Sequence, residues 1–217
     1  SFAVGRTQEL LYLLREVIEQ GMLPSLPIHV DSPMAIDVTD LYMRHREEHD
    51  LETRAVESQG IKPFAPPDVH FARTREQSVA LNQARYPNII ISASGMATGG
   101  RVLHHLERCL PDHRNTILFV GFQGAGTRGI SIQDGAESVK MHGRNVSGRA
   151  HIERMDNLSA HADYSEILGW LRQFPAPPRR TFLVHGEPKA AEALHERVTH
   201  QLGWKVHIPS YLETIAL

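Results

Sequence analysis

Ile89-Ile-Ile-Ser-Ala93, followed by Ser94-Gly-Met-Ala-Thr-Gly-Gly100, decides the fold of this sequence. A continuous β-branched run is typical of a strand buried on both faces of a parallel sheet. The glycine-rich segment then leads into a predicted helix that begins at Arg101. A second apolar run, Thr116-Ile-Leu-Phe-Val-Gly-Phe122, again ends in a glycine-rich stretch, Gly121–Gly129. This alternation predicts an α/β fold with a doubly wound, mostly parallel sheet.

The segments upstream of this strand continue the alternation. Apolar side chains at helical spacing predict a helix from Thr7 to Gln20, and a short strand follows at Ile28–Asp31. Ser32 and Pro33 together indicate the start of a helix that runs to about His49. Residues 50–72 are expected to be mostly irregular. Residues 74–83 are predicted to form another helix, with Thr74 as its cap and Gln77 three residues later.

The pattern changes after Gly129. Two segments with alternating polar residues, 139–143 and 146–155, predict strands that pair in an antiparallel manner. Two further units, each a strand or loop followed by a helix, complete the sequence. We therefore predict one domain over residues 1–135 and a second over residues 136–217.

Composition limits the classes of function. The chain has 217 residues, 41% of them hydrophobic, and a net charge of −2. The overall charge does not attract nucleic acid, so any polyanion site must be a local patch. One cysteine, Cys109, excludes a disulfide framework and a thiolate zinc site. No apolar run has the length of a membrane span, so we expect a cytoplasmic protein. Because the sequence begins at Ser1, we also expect it to be part of a longer chain.

Asn157-Leu-Ser-Ala-His-Ala-Asp163 places a histidine just before a predicted helix. Asp163 is a good N-cap, and Glu166 three residues later completes the pattern of a capping box. The helix dipole disfavours the protonated form of His161, which suits a general acid or base. The alternative interpretation is a partly buried histidine that fixes the loop.

Leu183-Val-His-Gly-Glu187 places a second histidine at the end of a predicted strand. Pro188 suits the first position of the helix that follows. A neutral imidazole at this position can bind zinc, and Glu187 could orient the ring. The alternative is that His185 only caps the strand end by hydrogen bonding.

The backbone amides of residues 94–101 could bind phosphate, because they join a buried strand to a helix. The segment matches neither a dinucleotide fingerprint nor a Walker loop. Contact with the phosphates of a polymer and a purely structural turn both remain open. Arg6 and Arg128 lie near the ends of elements, where arginine can bind phosphate in a bidentate manner or simply be solvated.

Six motifs occur in a fixed order along the chain. They are Phe2-Ala-Val-Gly-Arg-Thr-Gln-Glu-Leu-Leu, Asp31-Ser-Pro-Met-Ala, Ser94-Gly-Met-Ala-Thr-Gly-Gly-Arg, Gly121-Phe-Gln-Gly-Ala-Gly-Thr-Arg-Gly, Asn157-Leu-Ser-Ala-His-Ala-Asp and Leu183-Val-His-Gly-Glu. Together they resemble the β-CASP branch of the metallo-β-lactamase-fold RNA-processing nucleases. The nearest type is the bacterial and archaeal relatives of the endonuclease subunit of cleavage and polyadenylation specificity factor.

This resemblance implies a β-CASP domain followed by the C-terminal strands and helices of a metallo-β-lactamase αββα domain. It implies RNA as substrate and two zinc ions in the full-length protein. His161 matches a catalytic histidine and His185 a zinc ligand, with Asp163 and Glu187 in supporting positions. The residues it suggests for RNA or phosphate binding are Arg6, Ser94, Gly95, Met96, Arg101 and Arg128.

The sequence departs from the family in one respect, because the H-x-H-x-D-H zinc motif is absent. Catalytic zinc normally has three protein ligands, so we expect an incomplete site and no cleavage by this chain alone. The resemblance then implies a missing N-terminal metallo-β-lactamase half as a partner. An exposed apolar face could also support a homodimer. Two alternatives remain, namely a non-catalytic RNA-binding module and a small phosphate- or nucleotide-binding α/β domain.

Overall fold

The computed structural model describes residues 1–158 and 161–215. By its internal contacts the chain divides into two compact units, Ser1–Leu158 and Ser159–Leu217. The residues between 136 and 158 belong to the first unit because their strands pair and pack within it. The boundary predicted at residues 135/136 separates two family domains, whereas the division after Leu158 separates two compact units. The compact units do not test the predicted boundary, which stays a prediction.

A three-stranded parallel sheet organises the first part of unit 1. Strand β1 (Ile28–Val30) lies between β2 (Val69–Phe71) and β3 (Ile89–Ile91). The predicted α/β fold with parallel strands is confirmed. The expectation that Ile89–Ala93 is buried on both faces was wrong in part. Ile89 and Ile90 are only half-buried because β3 is an outer strand of this sheet, whereas Ile28 and Val30 of the central strand β1 are fully buried.

Six α-helices are described in unit 1, besides a single turn of 3-10 helix at Arg46–Glu48. They are α1 (Arg6–Glu19), α2 (Pro33–Arg44), α3 (Leu51–Ser58), α4 (Arg75–Gln83), α5 (Val102–Cys109) and α6 (Arg128–Gln133). The predicted caps are confirmed: the Ser32 hydroxyl accepts from the Ala35 amide, and Thr74 forms a capping box with Gln77. Helix α2 ends at Arg44, earlier than expected.

Residues 50–72 were expected to be irregular, and that expectation was wrong for α3 and β2. The Asp50 carboxylate accepts from the Thr53 amide at 2.8 Å and so starts α3. Strand β2 forms because it pairs with β1, a long-range contact that no local pattern reveals. Pro63, Pro66 and Pro67, which favoured an irregular segment, lie between these two elements.

The second half of unit 1 contains two strand pairs. Strand β4 (Thr116–Val120) pairs in parallel with β7 (His151–Met155), and β5 (Ser138–Met141) forms an antiparallel hairpin with β6 (Arg144–Ser147). The expected single antiparallel strand over 146–155 was therefore wrong. The chain leaves the hairpin at residues 148–150 because the Arg149 and Ala150 amides both donate to the Leu110 carbonyl, at 2.8 and 2.9 Å.

Two apolar clusters hold unit 1 together. The first joins α1, α2 and the three-stranded sheet, with Leu11, Ile28 and Ile36 fully buried. The second joins α5, β4, α6 and the hairpin around Leu110 and Met141. Truncating any of these side chains to alanine should cost about 2–5 kcal/mol. The loops described below are anchored on these two cores.

Unit 2 has its own core. Helices α7 (Tyr164–Leu171) and α8 (Pro188–Leu202) pack with the short parallel strands β8 (Thr181–Phe182) and β9 (Val206–His207). Its buried side chains are Leu168, Leu171, Val198 and Trp204. None of the described helices in either unit combines the length and apolar character needed to cross a membrane.

Candidate functional site

Two glycine-rich loops, residues 94–100 and 121–129, contact each other in unit 1. We call this pair the double loop. The buried Gln123 side chain joins them, because its Nε2 donates to the Gly95 carbonyl at 2.9 Å. Both loops were recognised in the sequence as glycine-rich segments. No feature of the sequence predicted that they would contact each other.

The two loops approach so closely that glycine is needed at the contact. The Gly129 amide donates to the Met96 carbonyl at 3.0 Å. A Cβ on Gly129 would lie 1.7 Å from Gln123 Oε1 and 3.0 Å from the Met96 carbonyl oxygen. Inside loop 94–100, the Ser94 and Thr98 hydroxyls share a hydrogen bond of 2.9 Å. The double loop is therefore a packed structure with its own internal hydrogen bonds.

The N-terminal motif is part of the same region. The Phe2 ring packs against Gly95, where a Cβ would lie 2.8 Å from the ring, and it also lies beside Gly121. Arg6 begins α1 and forms an ion pair with Glu9 one turn later. Three of the motifs quoted from the sequence thus converge, and the Arg6 guanidinium has a carboxylate partner.

Arg128 differs from Arg6 in its surroundings. Its Nε donates to the Lys140 carbonyl at 2.8 Å and its Nη1 to the Thr98 carbonyl at 3.0 Å. Across the part of the chain that the structure describes, no carboxylate lies within 4.0 Å of its guanidinium nitrogens. The Arg128 cation is thus held in place beside the double loop without being neutralised.

Arg101 points inward to a buried carboxylate. Its Nη1 donates to Asp31 Oδ1 at 2.7 Å, and Asp31 is fully buried. The other Asp31 oxygen receives a hydrogen bond from the Ser78 hydroxyl and lies 2.6 Å from His105 Nε2. The second ring nitrogen of His105 lies 2.9 Å from Asn82 Oδ1. This Asp31 network ties β1, α4 and α5 together.

Burial alone raises the pKa of Asp31, but the hydrogen bonds from His105, Ser78 and Arg101 outweigh it. The pKa of Asp31 therefore lies below its ordinary value of 3.8. Sequence reasoning quoted Asp31 only as part of a motif and gave His105 no role. The available signal was the pairing of Arg101 and His105 four residues apart at the start of α5, which places both on one side of the helix.

His161 lies two residues before the N-cap of α7 and is exposed. The predicted capping box is present: the Asp163 carboxylate accepts from the Ser165 and Glu166 amides at 2.7 and 2.9 Å, and Glu166 accepts from the Asp163 amide. Ser159 and Ala160 of the same motif lie outside the described residues. The capping box fixes the direction in which the chain enters the helix after His161.

His185 lies between β8 and α8 in a left-handed backbone conformation, with φ of 63°. It is exposed, Glu187 occupies the N-cap of α8, and Pro188 opens that helix as predicted. Across residues 1–158 and 161–215, the group of three metal-ligating side chains that come together includes neither His161 nor His185.

The comparisons with known proteins agree with this arrangement of motifs. Residues 7–132 match the family model of the Beta-Casp domain. The chain belongs to the Beta-Casp family. Residues 145–209 match a second model, described as the Zn-dependent metallo-hydrolase RNA specificity domain. The family predicted from the six motifs is confirmed. The double loop and the Asp31 network lie within the Beta-Casp match, and His161 and His185 lie within the second.

Several curated Beta-Casp relatives cover most of the chain. Ribonuclease TTHA0252 of Thermus thermophilus is 40% identical over 194 residues, which is 89% of this chain and 44% of the relative. Transcription termination factor FttA of Methanosarcina mazei is 32% identical over 100% of this chain and 35% of its own length. The RNase J-like protein of Methanocaldococcus jannaschii is 30% identical over 86% of this chain and 42% of its own. The chain thus spans less than half the length of each of these relatives.

Proposed function

We propose that this chain is part of a zinc-dependent ribonuclease that hydrolyses RNA phosphodiesters. It supplies an RNA-binding domain, a catalytic histidine and one zinc ligand. The name of the Thermus thermophilus relative and the description of the second family model support this proposal.

The observation that carries the proposal is the backbone of His185. A non-glycine residue at φ of 63° costs about 1–3 kcal/mol, and such strain concentrates at functional sites. The fold keeps this cost at the end of β8, where it fixes the position of one imidazole. We propose that His185 is a zinc ligand and that Glu187 orients it. Since a catalytic zinc needs about three protein ligands, the remaining ligands of the two ions would come from outside this chain.

His161 is proposed as the catalytic histidine. It is exposed, so an RNA phosphate can reach it, and the Asp163 capping box holds the segment that carries it. An imidazole in this position can donate a proton to the leaving oxygen of the cleaved phosphodiester. In this proposal Asp163 positions the histidine and takes no part in the proton transfer.

The double loop is proposed to bind the RNA backbone. Backbone amides near Ser94, Gly95 and Met96, together with the Arg128 cation, are suited to phosphate oxygens. Arg6 and Arg101 were predicted for the same role. Their ion pairs with Glu9 and Asp31 favour Arg128 as the principal phosphate contact.

The experiment compares His161→Ala and His185→Ala in the protein extended through its full reading frame. We expect His161→Ala to keep the zinc content and to lower turnover of a labelled RNA by about 10²–10⁴-fold, the usual contribution of a general acid. We expect His185→Ala to lower both zinc content and turnover. Zinc is measured by atomic emission, and cleavage by gel.

His200→Ala is the matched control, because His200 is an exposed histidine on α8 of the same unit. It should change neither quantity. Equal zinc loss in the His161 and His185 variants would contradict the division of roles. If the extended protein holds no zinc but still binds RNA, the function is RNA binding without catalysis. If only mononucleotides bind, it is a small phosphate-binding domain.

The remaining proposals concern partners and boundaries. The family matches end at residue 132 and resume at residue 145, which supports a domain boundary near residue 135.

Unit 2 exposes large apolar side chains, among them Trp170, Val184 and Tyr211. We propose that the missing N-terminal half of the catalytic domain associates with this chain, and that homodimers form through exposed apolar surface. Light scattering coupled to size-exclusion chromatography measures the molar mass of the particles. It therefore detects both the homodimer and the complex with the N-terminal half.

A further inference from the structure

Three metal-ligating side chains come together on the surface of unit 1, and none of them was assigned a role above. His104 and Glu107 lie one turn apart on α5, and His142 lies at the tip of the β5–β6 hairpin. One ligand atom from each falls within 4.8 Å of the other two. We call these three residues the α5–hairpin cluster.

The distances in the cluster are close to those that a metal requires. His142 Nδ1 lies 3.1 Å from Glu107 Oε2, and the rings of His104 and His142 are stacked with centroids 4.5 Å apart. Two ligands bound tetrahedrally to one zinc ion lie about 3.3 Å apart, given bonds of about 2.0–2.1 Å. The ligand atom of His104 lies within 4.8 Å of the other two, so its side chain has to rotate toward them to complete the geometry.

The hairpin holds His142 in the left-handed backbone region, which is uncommon for residues other than glycine. His142 and Gly143 have φ of 45° and 81°, and Met141 pairs with Arg144 across the turn. Positive φ at both central residues is the type I′ turn, in which asparagine followed by glycine is the preferred pair. In this hairpin a histidine occupies the first central position in place of the preferred asparagine. Its imidazole lies over α5, where it stacks on the ring of His104.

We propose that the α5–hairpin cluster binds one Zn²⁺ ion, with His104, Glu107 and His142 as ligands and water in the fourth position. Two imidazoles and one carboxylate form a donor set that suits zinc. The ion would join the hairpin to α5. This adds a cross-link to the second apolar cluster beneath them, because both elements contribute to it.

The test titrates zinc chloride into the 217-residue chain by isothermal calorimetry. His142→Asn is the informative variant, because it removes the ligand while introducing the residue that the turn prefers. We expect it to raise the zinc Kd at least tenfold, which is the low end of the loss seen when only an outer partner of a metal ligand is removed. His104→Gln on the exposed face of α5 should weaken binding to a similar extent.

Two control variants separate this site from other histidines. His113→Asn removes a histidine whose side chain is 83% exposed and should leave the zinc Kd unchanged. His200→Ala should also leave it unchanged, because His200 is an exposed histidine on α8 and is not one of the three cluster residues. If His142→Asn binds zinc as tightly as the unmodified chain, or if His113→Asn loses as much affinity, the cluster is only a Glu107–His142 ion pair and the proposal fails.

Discussion

At the scale of single residues, Asp31 connects β1, α4 and α5 of unit 1. It is fully buried and contacts Arg101, His105 and Ser78. Removing its charge leaves the largely buried Arg101 guanidinium without its counter-ion, and breaking a buried pair in this way costs about 3–5 kcal/mol. We expect Asp31→Asn to lower the free energy of unfolding at pH 7 by that amount, measured by urea denaturation. Asp112→Asn breaks an exposed ion pair with Arg114 and should leave stability unchanged.

The Asp31 network also gives stability a defined pH dependence. The pKa of Asp31 is lower in the folded chain than its ordinary value of 3.8, so the unfolded chain takes up the proton first. Its contribution is complete well above pH 4 and is lost as the pH falls through the folded pKa. The stability difference between the unmodified chain and Asp31→Asn should therefore shrink as the pH falls below about 4. A constant difference down to pH 2 would show that another group is responsible.

At the scale of elements, the double loop depends on the close approach of its two loops at Gly129. A methyl group on Gly129 would displace the Gln123 side chain and break its hydrogen bond to Gly95. We expect Gly129→Ala to destabilise the chain by about 1–3 kcal/mol. If displacement of the loop weakens the free energy of RNA binding by about 1 kcal/mol, the affinity for a fluorescent single-stranded RNA falls about fivefold.

Gly99→Ala is the control for the double loop, because a Cβ at Gly99 meets nothing within 4 Å and its φ is not positive. It should keep both stability and RNA affinity. If Gly129→Ala lowers stability but leaves RNA affinity unchanged, the double loop is structural and does not contact RNA.

Elements with a local signal could be predicted from the sequence. The caps at Ser32, Thr74 and Asp163 form because a side chain and an amide two or three residues apart suffice. Strand β2 and the Asp31–Arg101 pair could not be predicted. Their partners lie far away in sequence, 70 residues apart in the case of Asp31 and Arg101, and only folding brings them together. For the same reason the two glycine-rich loops were recognised singly, while their contact was missed.

At the scale of the whole molecule, the two units have separate cores and different reporters. Both tryptophans, Trp170 and Trp204, lie in unit 2, whereas most of the helix and strand is in unit 1. We expect Asp31→Asn to shift the urea midpoint of far-ultraviolet circular dichroism and to leave that of tryptophan fluorescence unchanged. If both midpoints shift together, the two units unfold as one cooperative system.

The lone cysteine determines how the protein can be handled. Cys109 lies half-buried at the end of α5, and burial raises the pKa of its thiol. At neutral pH it therefore presents little thiolate, which is the form that air oxidises. Solutions of the chain should keep without dithiothreitol, a reagent that itself chelates zinc. Every zinc titration described above can then be carried out in buffers where the protein is the only ligand that competes for the metal.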